Sequence, residues 1–364
     1  MRVLIAPDSF AGTLTAVEAA EAIAGGWRRR APGDVLDLAP MSDGGPGFVD
    51  VLHASLGGEL LACTVRGPYG GQVPGSVLVV DGTAYVESAQ ACGLHLTTEG
   101  QDPELASSYG VGELVATAVD AGVRAVHVGL GGAATNDGGA GLLAALGAVA
   151  SPGTALEQGP AGLAGLESVL LDAALNRVAG VSLVAATDVD SPLLGLIGTT
   201  NLHGPARGLP ADRLLTVDAA LERLAVATDR RTALARGAGA GGGLGFALLL
   251  LGATRSPGID VVTRAVGLAD RARRADLVLT GEGSFDFSSR SGKVPYGVAA
   301  VAAQALQPCV ALAGQVLVGS REMRALGIES AYSVVDLVGE QASFADPAGS
   351  LAALAERTAR SWSR

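Results

Sequence analysis

The sequence predicts an α/β protein of two domains, and three observations support this fold class. Short apolar runs that end in glycine or a carboxylate alternate with alanine-rich, helix-like segments, as in a parallel sheet with crossover helices. One stretch instead carries the turn sequences of antiparallel hairpins. The chain has 364 residues, and 49% of them are hydrophobic. This length exceeds the usual size of a single domain with one compact core. We therefore expect a Rossmann-like parallel-sheet domain and a second α/β domain with antiparallel hairpins.

The apolar runs locate the parallel strands. Strands are predicted over residues 3–6, 125–129, 182–186, 276–280, 309–313 and 330–335. Thr15 and Glu18 have the spacing of a capping box, which predicts a helix over 16–29. A second helix is predicted over 294–305.

The stretch from about residue 59 to residue 90 differs from the rest. It contains β-branched residues, polar alternation and the turn sequences Pro-Tyr-Gly-Gly, Val-Pro-Gly and Asp-Gly, which are typical of hairpins. Because α/β alternation returns afterwards, this stretch is predicted to open an insertion. We expect residues 1–60 and 275–364 to form the Rossmann-like domain, and residues 61–274 to form the inserted domain with its glycine-rich loops.

Composition limits the class of partner. A formal net charge of −11 gives no basic footprint for nucleic acid, so a small molecule is the expected partner.

Three widely spaced cysteines fit reduced thiols rather than a disulfide framework or a Cys-x-x-Cys metal site. With no secretion signal at the start, and a longest apolar run (246–251) too short for a bilayer, we expect a cytoplasmic protein without a membrane anchor. Assembly of identical chains is left open.

Lysine occurs once, at Lys293, so the other 24 of the 25 basic residues are arginines. Codon usage explains why lysine is rare, but not why this one persists. Lys293 follows Glu282 and Asp286 and precedes a predicted helix. A surface salt bridge would account for it, but a phosphate contact at the helix N-terminus is the preferred interpretation.

Two glycine-rich loops are candidates for binding an anion. Residues 129–134 match the dinucleotide pattern G-x-G-x-x-A, but residues 144–156 contain no acid for the ribose of a dinucleotide. The loop continues through Thr135 to Gly139 into a helix, so it could hold a phosphate or could be a tight turn capped by its own side chains. The second loop, 237–245, could equally be a hinge or a close-packing segment. The predicted phosphate or nucleotide ligands are Gly131, Gly132, Asn136, Asp137, Gly138, Gly139, Gly241 and Gly242.

Carboxylates follow several predicted strands. In open parallel sheets ligands bind at the carboxyl ends of strands, where magnesium and a general base would use such groups. Each acid taken alone could instead be a cap or turn residue. The acids in question are Asp8, Asp43, Asp188, Asp190, Glu282 and Asp286.

A series of motifs runs in collinear order along nearly the whole chain. They read VLIAPDSF, GTLTA, MSDGGPG, VRGPYG, ESAQACGL, GVGEL, GLGGAATNDGGAGLLAALG, DVDSPLLG, GAGAGGGLG, LVLTGEGSFD and GKVPYGVA. Together they resemble the motifs of the bacterial type-one glycerate kinases. The resemblance implies a two-domain α/β kinase that transfers the γ-phosphoryl group of ATP to D-glycerate with Mg²⁺, giving 2-phosphoglycerate in most bacterial members.

Roles can then be assigned to the candidate residues. Lys293 and the 136–139 turn are predicted to bind phosphate, and Asp188 with Glu282 to bind magnesium. Asp8 or Asp43 would orient or deprotonate the acceptor hydroxyl. The predicted substrate-binding residues are Ser9, Arg66 and Asp286, with Arg66 as the clamp for the substrate carboxylate.

Three motifs depart from the family pattern. Ala11 stands where a lysine is usual, Ala133 replaces a serine, and residues 204–208 read Gly-Pro-Ala-Arg-Gly in place of Gly-Pro-Gln-Lys-Gly. Two alternatives therefore stay open. The chain could be a divergent homologue that acts on another small hydroxy acid, or a catalytically weak protein that binds a metabolite.

Overall fold

The computed structural model describes residues 1–10, 12–286 and 292–363. The strands are β1 (Arg2–Ile5), β2 (Val35–Leu38), β3 (Glu59–Arg66), β4 (Gln72–Val80), β5 (Thr83–Glu87), β6 (Ala125–Gly129), β7 (Val149–Ser151), β8 (Ser168–Leu170), β9 (Ser182–Ala186), β10 (Thr254–Ser256), β11 (Leu277–Thr280), β12 (Ser284–Phe285), β13 (Cys309–Ala313), β14 (Gln315–Val316) and β15 (Ser330–Ser333).

The α-helices connect and cover these strands. They are α1 (Ala16–Arg30), α2 (Phe48–Leu56), α3 (Ala89–Cys92), α4 (Tyr109–Asp120), α5 (Ala140–Ala145), α6 (Gly159–Leu163), α7 (Asp172–Arg177), α8 (Thr199–His203), α9 (Leu214–Ala227), α10 (Arg230–Ala233), α11 (Leu244–Leu250), α12 (Gly258–Ala265), α13 (Leu268–Arg273), α14 (Val294–Gln304), α15 (Ser320–Ala325), α16 (Val334–Val338), α17 (Glu340–Ala345) and α18 (Pro347–Trp362). Among the residues described, no helix has both the length and the apolar character that a membrane crossing requires.

The chain forms two compact units. Unit one comprises Met1–Asp43, Asp50–Gly57 and Pro257–Arg364, and unit two comprises Gly44–Val49 and Gly58–Ser256. The ends of the chain therefore share one unit, as the sequence suggests, but the return to it comes at 257 rather than at 275. The difference arises because α12 and α13 pack against each other and against α14, which follows the central strand β11.

Unit one is built on a parallel sheet of strand order β15-β13-β11-β1-β2. Val3 lies opposite Leu277 on one side and Leu36 on the other. The side chains of Val3, Leu4 and Ile5 are all fully buried, as expected for a strand that is covered on both faces. Helices α1 and α18 pack together over this sheet.

Unit two is built on a mixed sheet of strand order β10-β9-β6-β5-β4-β3. Strands β3, β4 and β5 are antiparallel, whereas β5, β6, β9 and β10 are parallel. Asp81 and Gly82 connect β4 to β5 with φ values of 50° and 78°, as a two-residue type I′ turn requires. The predicted fold class, with a parallel-sheet domain and a second domain with hairpins, is confirmed.

The predicted parallel strands agree with the structure to within one or two residues at each end. Helix α1 has the predicted capping box, since Thr15 accepts from the Glu18 amide and the Glu18 carboxylate accepts from the Thr15 amide. Strand β2 was missed because it has four residues, one of them Asp37, and none of them is fully buried. All three cysteines are unpaired in the structure.

Candidate functional site

The strand order of unit one reverses between β1 and β11. From β1 the chain moves to β2 on one side, whereas from β11 it moves to β13 and then β15 on the other. Open α/β sheets bind ligands at the carboxyl ends of the strands at such a reversal. Asp8 follows β1 and Glu282 follows β11, so this edge carries two of the predicted catalytic and metal-binding acids.

Asp8 is held by the backbone around it. Its amide donates to the Gly281 carbonyl at 2.8 Å, and the Ser9 amide donates to Asp8 Oδ1 at 2.7 Å. Burial raises the pKa of the Asp8 carboxyl to about 7, with the charge of Asp43 as the next contribution. Glu282 raises this pKa further, while the Ser9 amide and Lys293 oppose the shift. Asp8 can therefore exchange a proton near neutral pH, as a general base must.

Lys293 lies at the N-terminus of α14 with an extended backbone conformation. Its Nζ is 4.0 Å from Asp43 Oδ2, and 42% of its side chain is exposed. An ion pair at that distance and exposure is weak. The ammonium group is therefore near the acids but is not committed to them, which suits a group that must contact an incoming anion.

The acids of unit one, namely Asp8, Asp43 and Glu282, concentrate negative charge, because each of the other two raises the pKa of Asp8. Within the described ranges, no group of three or more acidic, histidine or cysteine side chains has the spacing of a complete metal site. Mg²⁺ in kinases usually takes one or two carboxylates, and phosphate and water oxygens complete its shell. The buried Glu282 carboxylate fits that role. Asp188, the other predicted metal ligand, follows β9 in unit two, and its pairing with Glu282 stays a prediction.

The remaining acids have local partners. Asp190 forms ion pairs with Arg236 and with Arg255, the latter at 2.6 Å. Asp286 accepts a hydrogen bond from Ser284 Oγ at 3.3 Å. Ala11, which departs from the family pattern, lies outside the described residues.

In unit two the predicted phosphate turn is closed by its own carboxylate. Asp137 is fully buried and accepts from the amide and hydroxyl of Ser108, both at 2.8 Å. It also accepts from the amides of Gly139 at 3.0 Å and Gly141 at 3.2 Å. Burial raises the pKa of Asp137, and these hydrogen bonds act against the shift. Within the predicted turn the Gly139 amide already donates to Asp137 and the Gly138 amide donates to the Gly242 carbonyl, which supports the capping interpretation. Phosphate binding by this turn stays a prediction.

The glycines of the two loops allow close backbone approach. A Cβ at Gly242, where φ is +71°, would lie 1.7 Å from the Thr135 carbonyl oxygen, and the Gly138 amide donates to the Gly242 carbonyl at 3.0 Å. A Cβ at Gly131 would lie 2.4 Å from Gly45 Cα. Gly132, Gly139 and Gly241 also have positive φ and close neighbours. Packing thus accounts for these glycines, and the nucleotide-binding role predicted for them stays untested.

Arg207, within the departing motif 204–208, is a cation held by neutral acceptors. It donates to the Ala133 carbonyl at 3.0 Å, to Asn136 Oδ1 at 3.1 Å and to Thr199 Oγ1 at 3.2 Å. Asn136 in turn donates to Thr200 Oγ1 at 2.9 Å. Within the described parts of the chain Arg207 forms no ion pair, and burial lowers its pKa to about 10. Arg207 contacts the backbone carbonyl of residue 133, so this hydrogen bond does not depend on the serine that is usual at that position.

Arg66, the predicted carboxylate clamp, is already engaged. Its Nη1 contacts Glu157 Oε2 at 2.8 Å, and its guanidinium lies 3.6 Å from the centre of the Tyr109 ring. Binding a substrate carboxylate would require Arg66 to exchange Glu157 for the ligand. Its role as a clamp therefore stays a prediction.

We expect Asp137→Asn to destabilise unit two by about 2 kcal/mol, because an amide donor would replace a carboxylate oxygen among four hydrogen-bond donors. Urea unfolding of the variant measures the effect. The exposed Asp172→Asn, at the start of α7, is the matched control and should change stability by less than about 0.5 kcal/mol. Equal stability of the two variants would show that Asp137 does not anchor this turn.

Comparisons with known proteins agree with one another. A family model described as the glycerate kinase family matches residues 3–363. The chain is 39% identical to the glycerate kinase of Bacillus subtilis (strain 168), over 92% of this chain and 90% of that protein. It is 36% identical to the glycerate 2-kinase of Escherichia coli (strain K12), over 93% and 92%. A solved structure from Salmonella typhimurium LT2, described as a candidate glycerate kinase 2, matches with a TM-score of 0.84 and 34% identity, over 99% of this chain and 98% of that one.

Proposed function

The chain belongs to the glycerate kinase family, and on that premise we propose that it transfers the γ-phosphoryl group of ATP to the 2-hydroxyl of D-glycerate with Mg²⁺. The products are 2-phosphoglycerate and ADP. The observation that carries this proposal is the arrangement of Asp8, Glu282 and Lys293, together with Asp43, at the strand-order reversal of unit one.

Asp8 acts on the acceptor hydroxyl. As the hydroxyl oxygen forms a bond to the γ-phosphorus, the bond from that phosphorus to the bridging oxygen of ADP breaks, and the hydroxyl proton passes to the Asp8 carboxylate. A pKa near 7 lets Asp8 take this proton at neutral pH and release it to water afterwards. The Ser9 amide, bonded to Oδ1, fixes the orientation of the carboxylate.

Lys293 neutralises charge on the transferring phosphoryl group. Phosphoryl transfer asks a protein mainly for positioning and for stabilisation of negative charge. Because its contact with Asp43 is long and exposed, the ammonium can turn toward a phosphate without losing a strong ion pair. Asp43 then keeps Lys293 close to the acids while no nucleotide is bound.

Glu282 is the described side chain of unit one that best fits Mg²⁺, because it is a buried carboxylate beside two other acids. Glu282 would hold the ion, which would supply positive charge to offset the negative charge that develops on the phosphoryl group. We expect Glu282→Gln to raise the magnesium concentration that gives half-maximal rate by about tenfold, since the ion loses one charged ligand.

Magnesium titrations of the rate measure that change, with Asp190→Asn as the control because its carboxylate already pairs with two arginines. Asp188→Asn tests the second predicted ligand, and an unchanged magnesium requirement would remove it from the site. An unchanged requirement in Glu282→Gln would contradict its role.

A panel of small hydroxy acids tests the proposed substrate. ADP release is followed in a coupled assay with Mg²⁺ and ATP, and D-glycerate is expected to stimulate it more than L-glycerate, lactate or tartrate. If another acid stimulates ADP release more strongly, that acid and not glycerate is the acceptor. A folded protein that none of these acids stimulates would contradict kinase activity on hydroxy acids.

The candidates of unit two belong to the proposal as separate predictions. They are Asn136 with its glycine turn, the second glycine cluster, Asp188 and Arg66. Arg207 is a further candidate. Its hydrogen-bond acceptors within the described residues are all neutral, so its positive charge has no counter-charge there and can pair with a bound anion. All of these residues lie in unit two, and activity measurements on their variants decide their roles.

A further inference from the structure

A cavity of about 260 Å³ lies at the carboxyl edge of the sheet of unit one. Its lining comes from segments that follow β1, β11, β13 and β15. Phe10 and Leu14 contribute from the first of these segments, Gly283 from the second, Gln315 from the third and Val334 from the fourth. The cavity is therefore made by the same strand ends that are used for ligand binding in open α/β sheets.

The cavity adjoins the proposed catalytic acids along the chain. Phe10 is two residues after Asp8, and Gly283 directly follows Glu282. The segments after β1 and β11 therefore each carry a proposed functional acid and, next to it, a residue that lines the cavity. A ligand in the cavity therefore contacts chain segments that also carry Asp8 and Glu282.

The walls have the chemistry of a site for a flat, mostly apolar ring. Phe10, Leu14 and Val334 are apolar, and Phe344 of α17 lines the cavity while 62% of it is exposed. The polar side chains of the lining are Thr13, Ser284, Gln315 and Ser343, and Gln315 is the only carboxamide among these lining residues. The side-chain amide of Gln315 makes no hydrogen bond to any residue in the described parts of the chain, so it offers a ligand both a donor NH2 group and an acceptor carbonyl oxygen.

We propose that this cavity binds the adenine base of the nucleotide, with Gln315 bonded to the edge of the base and Phe344 packed against its face. The inference rests on the proposed kinase function, which requires a nucleotide as phosphoryl donor. A side-chain amide matches adenine, whose N6 and N7 are a donor and an acceptor, whereas O6 and N7 of guanine are both acceptors. A volume below the range for whole drug-sized ligands suits the base alone.

Direct binding of ADP and GDP, measured by isothermal titration calorimetry without an acceptor substrate, tests this assignment. Wild type is expected to bind ADP about tenfold more tightly than GDP. Gln315→Leu should abolish most of that preference by weakening ADP binding about tenfold. Phe344→Ala should weaken both nucleotides by about tenfold, because stacking does not distinguish the bases.

Two matched variants control for indirect effects. Gln307→Leu changes the glutamine that precedes β13, at the opposite end of the strand from Gln315. Leu317→Ala removes a side chain that is 64% exposed, close to the value for Phe344, outside the cavity lining. Both should bind ADP as wild type does. Because Phe344 is exposed, its variant stays informative even if Gln315→Leu does not fold.

The outcomes separate the two proposals. Unchanged ADP binding in Gln315→Leu and Phe344→Ala, equal binding of ADP and GDP by wild type, or no ADP binding at all would overturn the base site. The expected binding pattern in a protein that phosphorylates no hydroxy acid would instead defeat the proposed function and leave the base site standing.

Discussion

Asp8→Asn is expected to lower kcat/KM for D-glycerate by about a thousandfold, the middle of the range for a positioned general base. The amide keeps the size of the side chain but cannot take the hydroxyl proton. In wild type, kcat/KM should rise with pH through about 7 as the Asp8 carboxylate ionises. The variant should lack this rise, so a pH profile of kcat/KM measures both effects.

The stability of Asp8→Asn distinguishes loss of chemistry from loss of fold. The folded-state pKa of Asp8 is about 7, above the ordinary value of 3.8, so the folded protein binds this proton more tightly than the unfolded chain between about pH 4 and pH 7. Wild-type stability should therefore fall across that window as the pH rises. Asp8→Asn removes this cost and should be at least as stable as wild type at pH 8 in urea unfolding.

Asp50→Asn is the matched control, because Asp50 is an exposed acid of unit one on α2. It should leave both the rate and the pH profile unchanged. An Asp8→Asn protein that is folded and keeps more than about a tenth of wild-type kcat/KM would show that another group accepts the proton.

Lys293→Ala is expected to lower kcat/KM by about a hundredfold, because a charge-assisted contact to a transferring phosphoryl group contributes about 2–3 kcal/mol. Lys293→Arg should recover part of the loss by restoring the charge. The melting temperature should barely move, since the 4.0 Å contact with Asp43 is exposed and weak. Steady-state kinetics and thermal unfolding of the same preparations measure the two quantities.

Arg360→Ala controls for loss of a weak exposed ion pair, because Arg360 lies 3.9 Å from Glu356 and 65% of its side chain is exposed. It should leave kcat/KM unchanged. If Lys293→Ala unfolds while its activity per folded molecule matches wild type, Lys293 has a structural role and the phosphate assignment is wrong.

The sequence predicted the parallel strands well because their signal is local. Strands such as β1 and β13 are buried on both faces, so they appear as continuous apolar runs with an acid or glycine at the end. Edge strand β2 carries no such run and was missed. The return at 257 was also missed, because helix packing against α14 decides it rather than any change in composition.

The candidate site divides in the same way. Acids at strand ends could be recognised from position alone, and the structure brings Asp8, Asp43 and Lys293 into mutual electrostatic contact. The function of Asp137 could not be decided from sequence, because its partner Ser108 lies 29 residues away. Arg207 is a similar case, since its contacts with positions 133 and 136 span more than seventy residues.

The central claim is that the site of unit one formed by Asp8, Asp43, Glu282 and Lys293 transfers the γ-phosphoryl group of ATP to D-glycerate. ³¹P NMR of the products formed by wild type and by Asp8→Asn tests this claim most directly. Each protein is incubated with ATP, Mg²⁺ and D-glycerate at pH 8, where both are expected to be folded. The predicted result is accumulation of 2-phosphoglycerate with ADP in the wild-type sample and almost none in the variant sample. Equal product in both samples, or no phosphoglycerate in either, would contradict the claim.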